Sequence, residues 1–98
     1  MNTIELSEIN IIPLHPQNGL VGFASCVINN QFYVGSIAIY TCLVSSDGFR
    51  LVFPNKKLSS GKIVDCFYPI NKLAEQTVRA VIIKKYLQLM DNFKFIES

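Results

Sequence analysis

The chain has 98 residues, 50% of them hydrophobic and only 16% charged, against about 25% charged in average proteins. That much apolar surface offsets the entropy of ordering, which excludes a disordered chain, and the length sets a single domain over residues 1–98. A spanning helix is excluded too: residues 9–46 carry no formal charge with His15 neutral, but Asn29-Asn30-Gln31 interrupts them. The apolar piece that follows, Phe32–Val44, has 13 residues, short of the roughly 20 a membrane helix needs. No basic segment followed by an apolar run opens the chain, so no secretory signal is expected and the expected address is the cytoplasm.

Ile4–Ile12 mixes apolar and polar residues with isoleucine enrichment, and Pro13 and Pro16 are expected to end this first strand. Pro13–Gly19 reads as turn material. Leu20–Ile28 and Gln31–Val44 are apolar, β-branched segments separated by Asn29-Asn30, which predicts a two-residue hairpin turn because Asn tolerates positive φ. Val27 then faces Phe32 and Ser25 faces Val34. One face carries Val21, Phe23, Val27, Phe32, Val34 and Tyr40; the other carries Leu20, Cys26, Ile28, Tyr33, Ile37 and Ile39. Neither is polar. An antiparallel sheet usually solvates one face, so this hairpin calls for two covers, a helix of the same chain and a second subunit.

Ser45–Gly48 is a further turn and Phe49–Phe53 a fourth strand closed by Pro54. Asn55–Gly61 reads as a loop carrying two lysines, and Lys62–Tyr68 as a fifth strand stopped by Pro69. Asn71 is a good N-cap for a helix over Lys72–Met90. At about 100° per residue, Ala74, Val78, Val81, Ile82 and Leu89 fall on one side and Ala80, Ile83, Leu87 and Met90 on a second. Thr77, Lys84 and Gln88 form one polar seam between them, and Glu75, Arg79 and Tyr86 the other. A helix apolar on two sides again asks for a partner.

Catalytic chemistry is not visible. The three cysteines, Cys26, Cys42 and Cys66, have no C-x-x-C spacing and lie in apolar strand patterns, where a thiol is a small hydrophobe. His15, the one histidine, sits between Leu14 and Pro16 and brings no further ligands for a metal. Asp65 and Glu75 are lone carboxylates, and no phosphate-binding glycine motif occurs, so neither an enzyme nor a cofactor is expected. Charge is more informative. Residues 1–49 have a net charge of −3 with no Lys or Arg, residues 50–85 have +6, and the last thirteen have −1. An acidic-to-neutral half joined to a basic half points to a polyanion partner.

The basic half also carries a resemblance. Phe53-Pro54-Asn55-Lys56-Lys57, then Gly61 and Asp65, then Pro69-Ile70-Asn71 with Tyr86 along the helix, resembles the stage V sporulation protein G (SpoVG) family. Upstream, Ala24-Ser25 and the spacing of Phe32, Val34, Ile37 and Ile39 are similar to that family's central hairpin. The resemblance implies an α+β fold: an antiparallel sheet, here of about five strands, with a C-terminal helix and a homodimer formed through the sheet. It also implies a cytoplasmic bacterial regulator that binds DNA, and in some members RNA, with roles in sporulation, septation and virulence-gene control. Its nucleic-acid contacts correspond here to the basic loop and the helix region. With the charge map, the candidate contacts are Lys56, Lys57, Lys62, Lys72, Arg79, Lys84 and Lys85.

This chain departs from the family where arginines are replaced by Asn10, Ile12, Ala38, Val64 and Glu75, a lysine by Thr77 and a histidine by Tyr68. Glu75 lies four residues before Arg79, a spacing that predicts a local ion pair. The lead expectation is a dimeric nucleic-acid-binding regulator with modest sequence discrimination, because lysine is a point charge rather than a planar fork. The rival is an interaction factor of the division or regulatory machinery that never touches nucleic acid, supported by the two-sided apolar hairpin. A small-ligand site at the shallow area left by Gly22, Ala24 and Gly35 has no polar cluster behind it in the sequence.

Overall fold

The computed structural model describes residues 4–97. Strands β1 (Leu6–Gln17), β2 (Leu20–Ile28), β3 (Phe32–Thr41) and β4 (Phe49–Val52) form one antiparallel sheet in chain order. A small hairpin of β5 (Asn55–Lys57) and β6 (Ile63–Asp65) follows, and helix α1 (Lys72–Glu97) closes the fold. The expected α+β architecture is present, with its strands divided into four plus two.

The first strand does not stop at Pro13. It continues through both prolines to Gln17, with Pro13 opposite Gly22. β1 is an edge strand, so it needs ladder donors on one side only and tolerates a residue without an N–H. The segment expected to be a turn shrinks to Asn18-Gly19, with φ of 54° and 88°. Positive φ at both central residues is the hairpin geometry that matches strand twist, and Asn-Gly is its strongest sequence signal.

The next hairpin has three loop residues instead of two, because Ile28 pairs with Phe32. Asn29 serves β1 as well as the turn: its N–H donates to the Glu5 carbonyl and its Oδ1 accepts the Glu5 N–H, both at 2.8 Å. The expected register is therefore off by one, and a one-residue slip exchanges faces. Tyr33 stands opposite Val27 and Val34 opposite Cys26. A bulge at Ser36, where φ is 59°, shifts the ladder once more, so that Ile37 meets Ala24 and Ile39 meets Gly22. A second bulge, at Glu8 with φ of 47°, bends β1 beside it.

The outcome is one face with Ala24, Cys26, Val34, Ile37 and Ile39 packed against Val78, Ile82 and Tyr86 of α1. Ile37, Ile39, Ile82 and Cys26 are the fully enclosed side chains. Burial pushes the Cys26 thiol up from its ordinary value, so it is an inert hydrophobe at neutral pH. Cys66, expected inside a strand, is exposed beyond the end of β6.

The helix buries one stripe rather than two. Of the expected second apolar side, Ile83 is buried and Met90 packs against the core, but Ala80 and Leu87 are exposed; Tyr86, expected in a polar seam, is buried with its ring edge-on to Phe49 at 5.4 Å. The seam faces inward because β4 and the turn before it lie over it. At its start Asn71 Oδ1 accepts the Ala74 N–H at 2.8 Å, the N-cap bond expected. Asn71→Ala should cost about 1 kcal/mol by that bond, read as a lowered urea midpoint with an unchanged slope.

Candidate nucleic-acid interface

The segment expected as a lysine-bearing loop is a β-arm. Pro54 closes its base by accepting the Cys66 N–H at 3.0 Å, and the rings of Phe53 and Phe67 stack at a tilt, 6.0 Å apart, beneath it. Three rungs follow: Asn55 opposite Asp65, Lys56 opposite Val64, and Lys57 opposite Ile63. The Leu58 N–H donates to the Lys62 carbonyl at 2.8 Å and makes a fourth. Gly61, at φ of 92° with nothing within 4 Å of a built Cβ, turns the tip. Every residue from Asn55 to Cys66 is exposed. Lys56, Lys57 and Lys62 are thereby brought onto one projecting element, and the arm's only carboxylate is Asp65 at its base.

The helix cations are not gathered in this way. Lys72, Lys84 and Lys85 are exposed, but at about 100° per residue they point in three directions spread around the axis. Arg79 is engaged within the fold. Its Nε donates to Asp47 Oδ2 at 2.7 Å, and its terminal nitrogen donates to Asp47 Oδ1 at 2.7 Å, to the Ser45 hydroxyl and to the Phe49 carbonyl. Asp47 also accepts the Ser45 hydroxyl at 2.8 Å and the Phe49 N–H at 3.1 Å. These bonds, the Arg79 fork foremost, hold the Asp47 carboxyl well below the usual carboxylate range. The same pairing pushes the guanidinium up.

The partner expected for Arg79 was Glu75, and the structure puts Asp47 there instead. Glu75 adds only electrostatic attraction, and its Oε2 is enclosed with no hydrogen-bond partner among the described residues. Nothing in the sequence marks a partner 32 positions away. The function of this cluster is to fasten the β3–β4 turn to α1.

On the sheet face away from the helix, Ile12, Phe23, Ser25, Tyr33 and Ser36 surround a shallow depression of about 330 Å³. Of the small residues expected to leave a shallow area only Ala24 lines it, and polar groups line it as well: Asn10, Ser25 and Ser36. Tyr33 is 73% exposed and its ring lies over Gly35, where a Cβ would come within 2.9 Å of the phenol oxygen. Arg50 sits 4.9 Å over the Tyr40 ring on the same face. Sequence reasoning missed this polar fringe because it depends on the bulges. No helix among the described residues is long and apolar enough to cross a membrane.

The chain is 29% identical over 89 residues to the septation protein SpoVG of Onion yellows phytoplasma, covering 91% of this chain and 87% of that one. It is 28% identical over 89 residues to its counterpart in Aster yellows witches'-broom phytoplasma, with the same coverages. It is 21% identical over 82 residues to the SpoVG protein of Archaeoglobus fulgidus, covering 84% and 93%. The SpoVG family profile matches residues 4–88, so the chain belongs to the SpoVG family.

Proposed function

We propose that this chain is a cytoplasmic nucleic-acid-binding regulator that acts as a homodimer, with the β5–β6 arm as its principal phosphate contact and no catalytic step. The observation that carries the reading is the arm itself. Three lysines stand on an element with no packing role, and the one ion pair among the described residues is Arg79–Asp47, so all three remain unpaired. Phosphate contacts set affinity and register. Lys72, Lys84 and Lys85 add long-range attraction, and Arg79 is left out because its donors are occupied. The second subunit supplies the cover for the open sheet face, where Ile12 and Tyr33 are exposed.

Titration of fluorescent duplex DNA and single-stranded RNA between about 50 and 200 mM salt tests this reading. Affinity should fall with a log–log slope of about −0.9 per phosphate contacted. Lys56→Ala/Lys57→Ala should flatten that slope by about one to two contacts' worth and weaken binding at every salt concentration. No binding at low salt by a folded protein overturns the reading. That same exposed face favours the second reading, an interaction factor in division or regulation. In that case the protein captured is held by apolar contact and is insensitive to both salt and the lysine substitutions.

A further inference from the structure

Resting on the reading of the arm as a phosphate contact, the geometry points to the groove it enters: we propose that the β5–β6 arm lies in the major groove of duplex DNA, with its aliphatic side chains on thymine methyl groups. Side chains alternate across a strand, so the pairing fixes which residues share a face. Lys56 and Val64 form one rung and Leu58 and Lys62 the rung two positions on, all four on the same face. That face is a checkerboard, with the two lysines at opposite corners and the two aliphatic residues at the others. Lys57 and Ile63 lie on the reverse.

This arrangement fits a channel with charged walls and a partly apolar floor. The B-DNA major groove is about 12 Å wide and admits a two-stranded ribbon, whereas the minor groove is about 6 Å wide. Lysines at opposite corners reach phosphates on opposite walls. Leu58 and Val64, 40% and 42% exposed, are then left over the floor. The floor's apolar feature is the thymine C5 methyl group, which projects only into the major groove. The arm has no arginine, asparagine side-chain pair or glutamine near its tip to fork onto guanine or adenine; Asn55 is at the base. With Lys56 and Lys62 taken by the walls, methyl contact by Leu58 and Val64 is the base readout left to this face. The major groove of A-form RNA is deep and narrow and closed to such a ribbon.

The test uses three duplexes of one A·T-rich sequence: ordinary DNA, the same DNA with deoxyuridine in place of thymidine, and RNA. Deoxyuridine keeps every phosphate and hydrogen bond and removes only the methyl group. Binding of the intact protein should weaken roughly fourfold for each methyl contacted, and duplex RNA should bind more weakly still. Leu58→Ser/Val64→Ser, both on the exposed arm, should bind the thymidine and deoxyuridine duplexes equally. Equal binding of those two by the intact protein overturns the groove assignment while leaving the phosphate reading in place, provided Lys56→Ala/Lys57→Ala still loses affinity. Preference for duplex or single-stranded RNA overturns it in favour of another mode. Absence of binding to all three at about 50 mM salt overturns both.

Discussion

Replacing Ile82 by alanine should lower the unfolding free energy by about 2–5 kcal/mol. Ile82 is fully enclosed between α1 and the sheet, in one cluster with Ile37, Ile39 and Cys26. The cavity sits where the two layers meet, and no exposed neighbour can fill it. A domain of this size has a total stability of about 5–15 kcal/mol, and each kilocalorie moves its midpoint by roughly 4–8 °C. The melting temperature should therefore drop by about 8 °C or more, the lower bound being two kilocalories' worth. Leu87→Ala is the control. Leu87 is 47% exposed on the far side of the helix, and its loss should stay within about 1 kcal/mol. Equal effects at the two sites would mean that the helix is not docked by the Val78–Ile82–Tyr86 stripe.

Replacing Arg79 by methionine should give the next largest loss, about 1–2 kcal/mol, with DNA affinity changed far less than by the arm substitutions. The size follows from charge-assisted hydrogen bonds to Asp47, Ser45 and the Phe49 carbonyl, reduced because side chains about a quarter to a third exposed are screened by water. The pH dependence has a definite sign. The folded Asp47 carboxyl lies below its unfolded value, so its contribution is complete above the unfolded value near pH 4 and declines as pH falls from there. In Arg79→Met the main cause of that lowering is gone. Urea unfolding should show the two proteins furthest apart at neutral pH and converging below about pH 4. A gap that stays constant down to pH 2 would sink the ion-pair account.

These residues also show how far the sequence could be read. Leu20–Ile28 was legible because a run of apolar and β-branched residues bounded by Gly19 and Asn29 has one interpretation. The helix start was legible because Asn71 satisfies the first free N–H groups locally. The hairpin register was not, since Asn29 spends its side chain on Glu5, and the two bulges at Glu8 and Ser36 follow no compositional rule. Of the arm, β6 lies within the strand expected over Lys62–Tyr68, whereas β5 falls in the expected loop because three residues are too few for periodicity to register. Of the seven candidate cations, the chemistry of Lys56, Lys57 and Lys62 was visible but their projection from the body was not. For Arg79 even the partner was hidden, since only folding brings Asp47 to it.

The two edges of the four-stranded sheet are unequal, and this bounds how copies of the chain can add to one another. Along β1 the line of free hydrogen-bonding groups is broken by Pro13, Pro16 and the kink at Glu8. A foreign strand cannot lie flat against such an edge. The opposite edge, β4, offers only four residues. Lateral joining therefore has one short landing place per molecule, and any pair formed there presents two blocked ends. The sheet is built to terminate its own growth, which keeps a chain half composed of hydrophobic residues from extending into fibres.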